Sequence, residues 1–270
     1  YANLAVHQAD LILAIGVRFD DRVTGKLAEF APRAKIIHID IDAAELNKNK
    51  VAHIPVVSDA RYAIEELNKI VEKPEDHLSW LEECRRLKRD DPFDYDTGFD
   101  GILQQHAISE LSRATQDRET IITVGVGQHQ MWAAQFYHFS QPRTWLSSSG
   151  LGTMGFGLPS AMGAQAACPD KLVVDIDGDG SFQMNIQELS TCSQYECPVK
   201  VINLRNDYLG MVKQWQDMQY EGRHSESHYA ASLPNFVKLV EAYGHVGMEV
   251  RALSDLEPAM CEAFSLKDKL

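Results

Sequence analysis

The sequence is poor in cysteine, and its cysteines form no recognisable framework. Cys84, Cys168, Cys192, Cys197 and Cys261 are odd in number and include no C-x-x-C pair. That excludes a disulfide-stapled scaffold and fits a reducing, cytoplasmic setting. Long apolar runs are missing too: none reaches the ~18 residues that a membrane-spanning helix needs. The opening YANLAVHQADLILAIG has neither the basic leader nor the cleavage pattern of a secretory signal, and it reads as though it begins inside a domain. Positive charge is scarce, with 26 Lys and Arg against 39 Asp and Glu and a net charge of -13. This excludes a surface built for nucleic acid or anionic membrane, either of which needs clustered cations. An anionic ligand would have to be held by backbone amides or by a metal ion. No internal repeat or low-complexity tract is present.

What is present is alternation. DLILAIGVRF and AKIIHIDID are short, branched apolar runs ended by glycine or acids, which predict two buried strands of a parallel sheet. DARYAIEELNKIVEK spaces Tyr62, Ile64, Leu67, Ile70 and Val71 as a helix does. Residues 74–100 change character, being dense in charge and then rich in Asp, Pro and Gly. They predict a solvated helix and linker between a first domain over 1–73 and a second over 101–270. In the second domain GILQQHAISELSRAT, GFGLPSAMGAQAAC, NIQELSTCSQYE and LPNFVKLVEAYG predict helices. Between them ETIITVGVG, TWLSSSG, KLVVDIDG and PVKVINLRN predict strands. The fold class is α/β, an open parallel sheet flanked by helices, with its ligand site outside the carboxyl ends of the strands.

Four loops fall at those ends: GVGQHQ, SSSGLGTMG, DGDGS and NLRNDYLGM. In DGDGS, Asp179 offers a hard oxygen ligand, and Gly178 and Gly180 let the backbone approach a ligand closely. Asn206 follows 206 − 179 = 27 positions later, at the end of the next strand. A carboxylate, an amide oxygen and the carbonyl of Tyr208 make half of an octahedral magnesium shell, with water and a diphosphate completing it. Asp177 then stands behind as a supporting residue. Taken singly, these residues are ordinary turn formers; together, at converging loops, they describe a metal diphosphate site. His224 and His228 have the spacing of a zinc pair but lack a third ligand nearby in sequence.

GDG followed at this distance by Asn, with GVGQHQMWAAQ, SGLGTMGFGLPSAMGA and GMVKQWQDMQYEGRHS, resembles the thiamine diphosphate-binding domain of the acetohydroxyacid synthase (acetolactate synthase) catalytic-subunit family. ADLILAIGVRFDDRVTG with IIHIDIDAAELNKNK resembles part of that family's central, Rossmann-like flavin-binding domain. The resemblance implies magnesium on Asp179, Asn206 and Tyr208. It implies thiamine diphosphate held by Val126, Gly127, Gln128, His129, Gly180, Ser181, Gly210 and Met211, with Met154 supporting the bent cofactor. It implies flavin (FAD) contacts from Arg18, Asp20, Asp40 and Asp59, and a substrate pocket involving Trp215, Met211 and Arg22.

The activity implied is decarboxylation of pyruvate and condensation of the hydroxyethyl unit with pyruvate or 2-ketobutyrate, in branched-chain amino-acid synthesis. The implied assembly is a homodimer or tetramer with a small regulatory subunit. One departure stands out: the family's usual pair of asparagines is Arg205-Asn206 here, which bears on packing around Arg205. The family's activating glutamate belongs to an amino-terminal domain not seen in these residues, so the expectation is that this chain alone is inactive and carries no catalytic acid. Rival readings are another thiamine diphosphate enzyme, such as a pyruvate oxidase or glyoxylate carboligase, or a non-catalytic nucleotide-binding module. An aspartate ending a second strand also suits a nicotinamide ribose, but no G-x-G-x-x-G precedes it. For MVKQW the alternative is an amphipathic helix with Met211, Val212 and Trp215 packed into the core.

Overall fold

The computed structural model describes residues 1–72, 77–267 and 270. The first three residues of the expected linker, 74–76, therefore lie outside the described residues. The chain divides into two compact units, Tyr1–Phe93 and Asp94–Leu270.

In the first unit, α1 (Ala2–Gln8), β1 (Leu11–Ile15), α2 (Asp21–Thr24), β2 (Lys35–Asp40), β3 (Ile54–Val57), α3 (Ala60–Ile70) and α4 (Leu78–Asp90) follow in order. The strands form a parallel sheet in the order β1-β2-β3. The third strand escapes the sequence pattern because it is four residues long and contains Pro55. Proline lacks a ladder donor and is tolerated at a sheet edge, which is where β3 lies.

One expectation needs correction here. β1 is not a buried strand: it is the other edge, Leu11 and Leu13 are about half exposed, and only Ala14 is fully buried. α3 is a helix as its period predicts, with Asp59 capping its first turn, yet Tyr62, Ile64, Ile70 and Val71 are all exposed. α4 belongs with the first unit: the Tyr1 ammonium lies 3.1 Å from the Asp91 carboxylate and the Tyr1 and Phe93 rings are 5.1 Å apart. Its surface is laced with ion pairs such as Arg86 with Glu83 and Asp90, the pattern of a solvated helix.

The second unit runs α5 (Gln104–Ala114), β4 (Thr120–Val124), α6 (Gln128–Phe136), β5 (Trp145–Ser147), α7 (Gly157–Ala167), β6 (Leu172–Gly178), α8 (Asp179–Gln183), α9 (Glu188–Gln194), β7 (Lys200–Leu204), α10 (Gly210–Gln219), α11 (Phe236–Ala242) and α12 (Leu256–Ser265). Its strands are parallel in the order β5-β4-β6-β7. This is the open sheet expected from the alternation of strands and helices.

Successive β6 residues point to opposite faces, as the two-residue period of a strand requires. Val174 and Ile176 join Ile108 and Leu111 of α5, Ala133 of α6 and Met260 of α12 in one apolar layer. Val173 joins Leu158 and Ala161 of α7, Phe182 of α8 and Leu189 of α9 in the other. The chain leaves β4 for β5 on one side and crosses back to place β6 on the other. The loops after β4 and β6 therefore border a topological switch point, where such sheets open a crevice.

Candidate active site

The loop after β6 enters α8 at Asp179, a residue only 2 % exposed. Its carboxylate is fully engaged by the protein. Oδ1 accepts from the Gly180 amide at 2.9 Å and from the Tyr229 hydroxyl at 2.7 Å. Oδ2 accepts from the Asn206 amide at 3.1 Å and the Asp207 amide at 2.7 Å. The turn after β7 thus wraps around the acid that ends β6, with Asp207 at a positive φ of 64° to aim its amide inward. Asn206 Oδ1 accepts from the Tyr208 amide at 3.1 Å, so the second and third expected metal ligands are held in the same turn.

Tyr229, 50 residues beyond Asp179, carries no signal in the sequence, because its segment has no periodicity. Burial and the Asp179 carboxylate beside it push its phenol well above its ordinary pKa.

Opposite this turn stands α6. The expected GVGQHQ loop is shorter than the sequence suggests, because the helix begins at Gln128. Gln128 Nε2 donates to Gln214 Oε1 of α10 at 2.9 Å. A Cβ on Gly210, the first residue of α10, would lie 2.2 Å from Gln128 Oε1 and 2.9 Å from Asn206 Nδ2. The glycine is what allows these elements to meet. Gln128, Asn206, Tyr208, Gly210, Lys213 and Gln214 line a cavity of about 370 Å³.

Ser181 is 1 % exposed, and its hydroxyl accepts from the Val126 amide at 3.3 Å and the Gly155 amide at 3.0 Å. It therefore ties three strand-end loops together. Met154 and Met211 are half-buried in the neighbouring turn and helix. The core-packed alternative for α10 fails: no residue of that helix is fully buried, and Val212 and Trp215 are about 40 % exposed.

Beneath the loops lies a buried polar layer. Asp175 and Asp177, two apart on β6, face the same side with no measurable exposure. Asp175 accepts from the Thr123 hydroxyl at 3.0 Å, and Asp177 accepts from its neighbour's amide, Gly178 N, at 2.9 Å. Burial, and then the Asp177 charge, raise the Asp175 carboxyl well above the usual carboxylate range. That shift favours the protonated form of Asp175, which eases the placing of two aspartates on one strand. His129 is also buried; its Nε2 lies 3.3 Å from Asp177 Oδ1, off hydrogen-bond geometry. Arg205 is exposed and donates to Asp207 at 2.6 Å, so its place beside Asn206 disturbs no packing.

No group of three His, Cys, Asp or Glu among the described residues can hold a metal. His224 instead pairs with Asp217 at 2.5 Å, and His228 stacks on Tyr208 at 4.5 Å, which removes the zinc reading. A cation at Asp179 would therefore have one carboxylate with amide and carbonyl oxygens, the donor set of a hard ion that keeps water or phosphate oxygens as its remaining ligands.

In the first unit the expected flavin residues also gather at strand exits. Arg18 donates to Asp20 at 2.8 Å after β1, and Asp20 caps α2. Asp40 ends β2 and accepts from the Asp42 amide at 2.9 Å, and its carbonyl accepts from Ser58 N at 3.0 Å, next to Asp59. Arg22 is exposed on α2.

The family described as thiamine pyrophosphate enzyme, C-terminal TPP binding domain, matches residues 125–269. The chain belongs to the thiamine pyrophosphate enzymes. That family's central domain matches residues 1–67. Among curated relatives of this thiamine pyrophosphate enzyme, the acetolactate synthase isozyme 3 large subunit of Escherichia coli is 49 % identical over 97 % of the chain and 46 % of its own length. The acetolactate synthase large subunit of Haemophilus influenzae is 48 % identical over 100 % of the chain and 48 % of its own length. The chloroplastic acetolactate synthase 1 of Nicotiana tabacum is 49 % identical over 96 % and 40 %. The chain thus spans less than half the length of these relatives. No helix among the described residues is long and apolar enough to cross a membrane.

Proposed function

We propose that the chain is the flavin- and thiamine diphosphate-binding part of an acetohydroxyacid synthase large subunit. The observation that carries this reading is the wrapping of the Asn206–Asp207 turn around Asp179, opposite the Gly210–Gln128 contact, in a chain close to half identical to acetolactate synthase large subunits. Asp179, Asn206 and the Tyr208 carbonyl hold magnesium, and the donor set at this turn suits a hard cation. Val126, Gly127, Gln128, His129, Gly180, Ser181, Gly210 and Met211 hold thiamine diphosphate, with Ser181 acting through its backbone because its hydroxyl already joins two loops.

When bound, thiamine diphosphate supplies a carbon nucleophile and an electron sink for the decarboxylation of 2-ketoacids. The residues of this chain supply position. Met154 bears on the cofactor's bent form, and Trp215, Met211 and Arg22 contact the 2-ketoacids, pyruvate and 2-ketobutyrate. The buried Asp175–Asp177 layer fixes the β6 exit from below. In the first unit Arg18, Asp20, Asp40 and Asp59 take FAD at the strand exits, where the sheet topology favours a nucleotide. The working protein is a cytoplasmic homodimer or tetramer, with a regulatory subunit.

Calorimetry tests the site on the chain itself. Titration with thiamine diphosphate gives binding heat that requires magnesium and disappears in Asp179→Ala. Equal binding without magnesium, or unchanged binding in the variant, sinks the assignment.

A further inference from the structure

Two cysteines that play no part in the site lie together behind it. Cys192 is in α9 and Cys197 in the connection to β7, both in the second unit. The Cys197 amide donates to the Cys192 carbonyl at 2.9 Å. With standard bond lengths that contact leaves the two Cα atoms no more than about 6.8 Å apart, inside the range a disulfide spans. The side chains also meet, since the Cys192 thiol hydrogen-bonds the Cys197 sulfur. Cys192 is buried with Leu189 and Val199, whereas Cys197 is half-buried. Of the remaining cysteines, Cys84 and Cys168 are half-buried and Cys261 is exposed.

The two thiols are chemically unlike. The hydrogen bond from Cys192, opposed by partial burial and helped by the Val199 backbone, lowers Cys197 to about 7. The same bond, burial and the nearby Glu188 charge push Cys192 far up, so it stays a thiol. Exposure points the same way: Cys197 is the thiol that a small oxidant reaches first, and Cys192 is the buried partner behind it.

We propose that Cys192 and Cys197 form a peroxide-oxidisable dithiol, with Cys197 as the attacking thiol and Cys192 as the resolving one. The Cys197 thiolate attacks one oxygen of a hydroperoxide, the O–O bond breaks, and the other oxygen leaves as hydroxide and takes up a proton. Cys197 is left as a sulfenic acid, its sulfur oxidised by two electrons and the peroxide reduced. The Cys192 sulfur then attacks the Cys197 sulfur, the S–O bond breaks, and the Cys192 proton passes to the departing hydroxyl, so that a second water leaves as the disulfide closes. In total two thiols and one hydrogen peroxide give one disulfide and two waters. A dithiol reductant reverses it.

The test is peptide mapping of the intact 270-residue chain after mild hydrogen peroxide, with free thiols alkylated before digestion. The expected result is a linked peptide joining Cys192 to Cys197, a fall from five alkylatable thiols to three, and recovery of all five with a dithiol. In Cys192→Ser the Cys197 sulfenic acid persists and is trapped by a cyclic 1,3-dione. In Cys197→Ser, Cys192 stays reduced under the same dose, and a urea midpoint near that of the parent shows that the variant is folded. In the parent, Cys197 alkylates severalfold faster than Cys261 at pH 7, the rate expected when a larger thiolate fraction is partly offset by lower intrinsic nucleophilicity. Oxidation spread over Cys84 and Cys261, with Cys192 and Cys197 both still alkylatable, overturns the proposal. So does trapping at Cys192 rather than Cys197.

Discussion

The Tyr229 hydroxyl donates to Asp179 Oδ1 at 2.7 Å, and so occupies the carboxylate to which the proposed function gives a metal ion. Magnesium at Asp179 must displace or share one of four donors, and the phenol is the only one of them on a side chain. In Tyr229→Phe that competitor is gone. A hydrogen bond to a charged group contributes about 1.5–3 kcal/mol, so magnesium-dependent thiamine diphosphate binding should tighten by at least about tenfold. The cofactor-free chain should be less stable by a similar amount, about 1.5–3 kcal/mol. Calorimetry with urea unfolding checks both. Weaker binding in the variant means that the phenol supports the bound site instead.

Asp179 also holds its own loop together. Asp179→Ala leaves three backbone amides and a phenol without their acceptor in a buried place, a loss of about 2–4 kcal/mol. Asp179→Asn keeps one acceptor oxygen and should lose less stability, yet it should lose metal-dependent binding as fully as alanine does. Equal unfolding midpoints for the two variants would show that the loop is held by other contacts.

Asp175 makes stability depend on pH. Its folded pKa is raised by burial and by Asp177, so the folded state binds more protons than the unfolded chain once pH exceeds the ordinary carboxylate value. Stability from this group is intact below that value and falls as pH rises toward the folded pKa. Asp175→Asn carries no proton to lose and can still accept from Thr123. Its urea midpoint should match the parent near pH 4 and exceed it at pH 7 to 8, by on the order of 1 kcal/mol. A constant difference across that range would mean that burial and Asp177 do not raise the Asp175 carboxyl in the folded chain.

The sheet of the second unit was legible because its strands are short apolar runs, separated by helices and ended by glycine or acid. That Asp179 and Asn206 come together was legible because one strand exit follows another at a fixed chain distance. Pro55 hid β3 by breaking the strand pattern, while its edge position made the proline harmless. α6 was hidden altogether, because Gly125–Gly127 and the two following polar residues resemble a loop and no helix is expected between the strands on either side. Exposure on β1 and α3 was unreadable, since periodicity names a face without naming what covers it. Tyr229 was beyond reach for a different reason: its partner lies 50 residues away, and only the tertiary fold joins them.

Two glycines at strand exits should respond differently to the same added methyl group. At Gly210 the new Cβ meets Gln128 Oε1 at 2.2 Å and Asn206 Nδ2 at 2.9 Å, both ends of side chains that can turn away. Gly210→Ala should cost less than about 1 kcal/mol of stability, while breaking the Gln128–Gln214 bond and weakening thiamine diphosphate binding. At Gly125 the Cβ meets Asp177 Oδ1 at 1.8 Å and Ser181 Oγ at 2.4 Å, both buried. Ser181 cannot move without breaking its bonds to Val126 and Gly155, nor Asp177 without breaking the bond from the Gly178 amide. Gly125→Ala should therefore destabilise by about 3 kcal/mol or more. Urea unfolding of both variants, with cofactor titration of the folded one, decides the matter: similar midpoints would mean that the β4 and β6 exits are not locked together at Ser181.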